Sequence, residues 1–273
     1  LDEVIEHIKQ HSDIKAVFST FCETSTGVLN PVGELAKAVH AINDDIIIIA
    51  DGVSAVACAE TKMDEWGLDI VVTGSQKGFM LPTGLAFIAV SDRAWKAIEQ
   101  NDTKGYYLDL TKHRDALEKG NTPFTPALGL FHGLDAVLDQ LEEEGVEEVY
   151  ARHTLMRDMT RAALKALDVN LLVEDAYASP SVTAVAPTDF DAQAFRKVLK
   201  EDFNIDVASG LDKMTDTIFR IGHMGYCSPA DVLQYISAFE IALTKVGKTI
   251  ELGAGTRAAQ KIYLQKTTTT VTQ

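Results

Sequence analysis

Apolar positions along this chain fall into short solid runs separated by longer amphipathic stretches. Ile46-Ile47-Ile48-Ile49-Ala50 is an unbroken, mostly β-branched run, the pattern of a strand buried on both faces of a parallel sheet. Strand-like runs also lie at 16–21, 69–73 and 85–90. Between them, 31–42 and 93–100 read as helices; Pro31 suits a first helical turn and Ser91-Asp92 a cap. Residues 1–15 read as the tail of a helix running into the first strand. Strands alternating with helices predict an α/β fold with a mostly parallel, doubly wound sheet. Residues 105–125, with Tyr106, Tyr107 and Pro123, read as a long irregular loop. A long helix or helix pair is expected over 127–167, broken near Gly145. A smaller α/β unit follows, with strands near 171–173, 181–186 and 217–221 and helices near 191–201 and 229–246. The expected organisation is a large domain over 1–135, a connecting helix over 136–168, a small domain over 169–250 and a mobile tail over 251–273.

Two of these runs end in chemistry. The run at 46–50 leads into Asp51-Gly52-Val53-Ser54, and the run at 69–73 into Gly74-Ser75-Gln76-Lys77-Gly78. An acid at the carboxyl end of a buried strand is costly unless it meets a cation or hydrogen-bond donors. In open α/β sheets those strand ends are where ligands sit. A lysine at a buried strand's exit loses its proton more easily than one on a solvated helix, and the neutral amine is the nucleophile that condenses with a carbonyl. Asp51 and Lys77 should therefore face one crevice. A carboxylate on a pyridinium nitrogen and a lysine on an aldehyde carbon are what pyridoxal 5′-phosphate requires; a plain Asp51–Lys77 ion pair is the alternative. Arg220, within Ile218-Phe219-Arg220-Ile221-Gly222, is a charge among apolar neighbours, and its planar fork matches a carboxylate.

Four segments occur in order: Phe21-Cys22-Glu23-Thr24-Ser25-Thr26-Gly27-Val28; Asp51-Gly52-Val53-Ser54; Gly74-Ser75-Gln76-Lys77-Gly78 with Pro82-Thr83-Gly84; and Phe219-Arg220-Ile221-Gly222-His223-Met224-Gly225. Together they resemble the class V, fold-type I aminotransferases, in particular the alanine–glyoxylate and serine–glyoxylate (serine–pyruvate) branch. That family also includes proteins labelled soluble hydrogenase subunits. The resemblance covers residues 17–246. It implies a truncated fold-type I large domain with a smaller C-terminal α/β domain, and pyridoxal 5′-phosphate as cofactor. It implies transfer of an amino group from a small amino acid, alanine or serine, to a 2-oxo acid such as glyoxylate or pyruvate. By the same resemblance Lys77 condenses with the cofactor and moves the proton, Asp51 holds the ring nitrogen and Gln76 contacts the phosphate. Thr24 reaches the ring oxygen, or else merely caps its turn, and Arg220 grips the substrate α-carboxylate.

The family's phosphate is also met by a loop of the neighbouring subunit, so Thr122 or Thr125 is expected there, in a homodimer. The aromatic–His–His–Thr pattern of some members is missing from this loop. His223 reads as a packed strand-end histidine rather than a base. Family members carry a substantial segment ahead of the Glu-Thr-Ser-Thr-Gly motif, with a small-residue turn that holds most of the phosphate. No Gly-rich loop opening a helix matches that turn here, and the sequence reads as a fragment. The alternatives are a class V lyase or desulfurase, and a non-catalytic assembly subunit that keeps the fold.

Composition narrows the partners. The net charge is −15, from 40 acidic residues against 25 Lys and Arg, which argues against nucleic acid or an anionic membrane surface. Cys22, Cys58 and Cys227 are odd in number and form no CxxC, which points to a reducing, cytoplasmic setting. The seven histidines include one HxxxH pair, His7 and His11, and no HxH, and no metal is expected.

Overall fold

A computed structural model describes residues 1–101 and 105–267. In chain order its elements run α1 (Asp2–Gln10), β1 (Ala16–Thr20), β2 (Cys22–Glu23), β3 (Val28–Leu29), α2 (Val32–His40), β4 (Ile47–Asp51), α3 (Met63–Trp66), β5 (Ile70–Gly74), β6 (Ala86–Val90) and α4 (Asp92–Glu99). They continue with α5 (Leu110–Leu117), α6 (Leu128–Glu144), α7 (Val146–Ala166), β7 (Val182–Val185), α8 (Ala192–Phe203), β8 (Ala208–Ser209), β9 (Phe219–Gly222), α9 (Pro229–Lys245) and α10 (Ala254–Thr267). Two units divide the chain: Leu1–Phe21, Pro31–Val53 and Thr61–Gln140 make the first; Cys22–Asn30, Ser54–Glu60 and the chain from Leu141 onward make the second.

In the first unit β1, β4, β5 and β6 lie side by side in that order. β1–β4 and β4–β5 are parallel and β6 closes the edge antiparallel, so the sheet is mostly parallel as expected. Ile48, Ala50 and Val71 are buried on one face, and Val32, Leu35, Ala36 and Val39 turn the apolar stripe of α2 inward. Register places Phe18 beside Ile49, Ile49 beside Ile70 and Ile70 beside Val90, on the opposite face. There Phe18 is 77% exposed and Ile88 43%, and Ile47 and Ile49 are only half-buried. The expectation that the isoleucine run is buried on both faces is thus corrected: the described elements cover one face. Ser91 caps α4 as expected, its hydroxyl accepting from Ala94 N at 3.1 Å. Pro31 is the N-cap of α2 rather than its first turn.

The expected loop over 105–125 contains a helix, α5. Its pattern is too polar to stand out, but Asp109 caps it, accepting from Thr111 N at 3.0 Å.

The second unit is built on a three-stranded antiparallel sheet in the order β7-β9-β8. Phe195, Phe219, Phe239, Met156, Leu164 and Ile236 fill its core, with α7, α8, α9 and α10 contributing. Gly145, at φ +86, separates α6 from α7 where the break was expected. The expected strand at 171–173 reduces to a single bridge, Leu171 to Val185. Residues 254–267, expected within a mobile tail, form α10; residues 268–273 lie outside the described part. The buried carboxylate of Glu240 starts that helix, accepting from Gly253 N at 2.7 Å and Thr256 N at 2.9 Å. Small residues hide the helix in sequence, because Gly255 and Ala259 are its buried positions.

Candidate active site

Asp51 is the last residue of β4, and Lys77 stands three residues beyond the end of β5, its parallel neighbour. Both are thereby delivered to the carboxyl end of the same sheet. Asp51 is exposed, and its Oδ1 accepts from Val53 N at 3.0 Å. The strand is tied on both sides at this point: Phe21 N donates to Asp51 O at 2.8 Å and Gly52 N to Val72 O at 2.8 Å. Lys77 is half-buried in the turn after β5. No ion pair joins it to Asp51 among the described residues, so the plain ion-pair alternative is not what the fold builds.

Ser75 shapes the turn that carries Lys77. It is fully buried, its hydroxyl donates to Pro82 O at 2.8 Å and accepts from Leu85 N at 3.1 Å, and its own N–H reaches Leu85 O at 3.0 Å. One side chain thus closes the whole 75–85 loop. Gln76 is exposed and folds back over Gly74, where an added Cβ would lie 2.9 Å from Gln76 Oε1. Thr73 Oγ1 is the one buried side-chain polar atom without a hydrogen-bond partner among the described residues.

Thr24 and Arg220 belong to the second unit and are joined there. Arg220 sits on β9 between Phe219 and Ile221, which are buried, so strand alternation turns the guanidinium to the other face. Its Nε donates to Ser209 O at 2.8 Å and its Nη1 to Thr24 O at 3.0 Å. Two carbonyls therefore fix the arginine, and no carboxylate lies within 4.0 Å of it among the described residues. Burial pulls its pKa below the usual guanidinium value, opposed by the charge of Glu23. Thr24 Oγ1 pairs with Ser54 Oγ at 2.6 Å. The Glu23–Gly27 turn between β2 and β3 needs Gly27, which has φ +79 and whose Cβ would lie 2.9 Å from Val182 O.

The candidate loop threonines differ. Thr122 donates its hydroxyl to Phe124 O at 2.8 Å, whereas Thr125 is exposed.

The sequence model of the aminotransferase class-V family matches residues 1–232. The chain belongs to this family. It is 43% identical over 249 residues to the "Soluble hydrogenase, small subunit" of Synechococcus sp., covering 91% of this chain and 65% of that protein. It is 37% identical over 280 residues to the serine–glyoxylate aminotransferase of Hyphomicrobium methylovorum, covering 99% of this chain and 67% of that one. The crystal structure of pyridoxamine–pyruvate aminotransferase from Mesorhizobium loti superimposes with a TM-score of 0.91 at 29% identity, over 97% of this chain and 69% of that one. This class V chain therefore spans about two thirds of the length of the proteins it matches.

His223 is packed, as expected of this class V chain. Its Nδ1 faces Pro180 O at 2.8 Å and its Nε2 faces Thr183 Oγ1 at 2.9 Å. Burial pushes its pKa down to about 4. A second buried histidine, His153, escaped the sequence: Gly225 N donates to its Nε2 at 3.0 Å, so its Nδ1 carries the proton that goes to Val149 O at 2.7 Å. Burial lowers it to about 4 as well. Ser54 and Ser75 likewise escape the sequence, because a lone serine in a turn carries no distinguishing pattern.

Proposed function

We propose that this chain is part of a pyridoxal 5′-phosphate-dependent aminotransferase that moves an amino group from alanine or serine to a 2-oxo acid such as glyoxylate or pyruvate. One observation carries the reading: in a class V fold, Asp51 and Lys77 come to the same end of the sheet on adjacent parallel strands. The donor set suits the cofactor, offering a carboxylate at the end of β4 and an adjacent primary amide and primary amine in the turn after β5. The bound cofactor supplies an electron sink for the bonds at the substrate's Cα. Lys77 would hold its aldehyde carbon and, as a free amine, carry the proton to and from the substrate's Cα. Asp51 keeps the ring nitrogen protonated, Gln76 donates to the phosphate, and Thr24 offers its hydroxyl to the ring oxygen. Arg220, already oriented by two carbonyls, holds the α-carboxylate with its remaining N–H groups.

The chain works as a homodimer. Tyr106, Tyr107, Leu108, Leu117 and Leu128 are all strongly exposed within one stretch of the first unit, an apolar density that calls for a partner surface. Thr125, with its hydroxyl at the surface, is the residue of that stretch that reaches the neighbour's phosphate. Three cysteines spaced without a CxxC motif suit a cytoplasmic setting; no described helix is long and apolar enough to cross a membrane. A desulfurase reaction is disfavoured, since Cys22 and Cys58 are buried and burial pushes the Cys58 thiol up to about 12.

Borohydride treatment of the cofactor-loaded protein, followed by peptide mass spectrometry, tests the reading. The pyridoxyl adduct is expected on Lys77, with loss of an absorbance band near ~420 nm. An adduct on Lys62, Lys96 or Lys213 overturns the assignment, and no adduct with full cofactor present leaves the assembly-subunit reading in its place.

A further inference from the structure

Glu23 is the acid nearest in sequence to the contacts that hold Arg220, and the proposed reaction gives it no task. Its Oε1 accepts from Ser25 N at 2.8 Å and from Ser25 Oγ at 2.6 Å. Its backbone carbonyl accepts from Gly27 N at 2.7 Å, closing the turn. The next residue, Thr24, gives its carbonyl to Arg220 Nη1. Glu23 is thus pinned one residue from the group that orients the guanidinium. It is held there without forming an ion pair with Arg220 within 4.0 Å among the described residues. The charges nevertheless act on one another. The Ser25 hydroxyl and N–H, and then the Arg220 charge, hold the Glu23 carboxyl below the usual carboxylate range, and Glu23 in turn supports the charge on Arg220.

We infer that Glu23 is a positioning residue that tempers the grip of Arg220 on carboxylates: it balances the guanidinium while the site is empty and opposes the substrate's carboxylate when the site is filled. The inference rests on the proposed role of Arg220. The physical reason is the count of charges. A half-buried guanidinium with only carbonyl partners is an uncompensated cation, and a fixed carboxylate at longer range offsets it without occupying the N–H groups a ligand needs. When a carboxylate ligand arrives, the same fixed charge repels it, because two negative charges then share one cation. Ser25 is what keeps this arrangement from collapsing into a direct Glu23–Arg220 pair, since both of its donors hold the same carboxylate oxygen. The outcome is a site that accepts an amino acid by its carboxylate and releases the oxo acid that bears the same group.

The test uses two variants with opposite expected signs. Glu23→Gln keeps an oxygen for Ser25 but removes the charge; Ser25→Ala keeps the charge and the backbone donor but removes the hydroxyl donor, loosening the carboxylate towards Arg220. The probe is propionate, a carboxylate with no amino group, titrated calorimetrically into the cofactor-loaded protein and its variants, alongside steady-state KM and kcat for alanine and serine. Glu23→Gln should tighten propionate about fivefold and lower KM with kcat little changed, and Ser25→Ala should weaken propionate by a similar factor. If both variants weaken it, or neither moves it, Glu23 only holds the turn and the inference is overturned. If Arg220→Ala leaves propionate binding unchanged, the carboxylate site itself is wrong and the inference goes with it. If the protein transaminates neither donor yet the opposite shifts in propionate binding appear, the role of Glu23 stands and the donor assignment falls.

Discussion

Arg220 shows how a side chain acquires a task from its contacts. Ser209 O and Thr24 O take two of its N–H groups and leave the others for a planar acceptor. Arg220→Ala should lower kcat/KM on the order of a hundredfold, Arg220→Lys somewhat less, and equally for alanine and serine, since both present the same carboxylate. A selective loss for one donor would make Arg220 a reader of side chains instead. Asp51→Asn should retain cofactor yet slow turnover on the order of a hundredfold or more, because an amide cannot hold the ring proton; near-normal turnover contradicts that role. The buried histidines give a pH signature. Their folded-state values near 4 lie below the ordinary 6.5, so the unfolded chain takes up protons first as pH falls. Stability is therefore intact above pH ~6.5 and declines towards pH ~4, by up to about 1.4 kcal/mol per pH unit for each histidine. Thermal unfolding followed from pH 7 to pH 4.5 should show that slope, and His153→Gln should flatten it; an unchanged slope refutes the neutral-histidine account.

Loops and helix ends here depend on single polar side chains. Ser75 joins two backbone partners across the turn of Lys77, and its replacement by alanine strands Pro82 O and Leu85 N. Ser75→Ala should cost about 2 to 4 kcal/mol in urea unfolding and loosen cofactor retention. Unchanged stability would mean that water replaces the hydroxyl without cost. Glu240 does for α10 what Ser75 does for the turn, satisfying the N–H groups of a helix start from a buried position on α9. Glu240→Ala should lower stability by about 1 to 3 kcal/mol and speed amide exchange over 254–267. Exchange that stays slow there would show that packing against α7 is sufficient.

For the molecule as a whole, the exposed apolar residues between 106 and 128 are the surface proposed to meet a second copy. Tyr107 and His113 lean on Phe124 with ring centroids 4.9 and 6.2 Å apart, so the aromatic patch is organised within the protomer. Sedimentation of the cofactor-loaded protein at micromolar concentration should give twice the chain mass, and Tyr107→Glu with Leu117→Glu should shift it to the monomer with loss of activity. A fully active monomer contradicts the dimeric site.

Much of the architecture is legible in linear order, because period and length carry it. The isoleucine run, the apolar stripe of α2, the Ser91 cap and the Gly145 break each state their structure locally. The four motifs likewise name the family, since their order along the chain is itself the signal. Elements whose stability comes from elsewhere were not legible. α5 is a polar helix started by a lone aspartate, α10 hangs on a carboxylate from α9, and β2, β3 and β8 are two-residue strands that exist only through their pairing. The sequence marked the residues proposed to carry the chemistry: Asp51, Lys77 and Arg220 sit in motifs that pattern alone picks out. Tertiary structure decided how they are held. The Ser75 clamp, the carbonyls on Arg220 and the Glu23–Ser25 pair all depend on distances and directions that the order of residues does not contain.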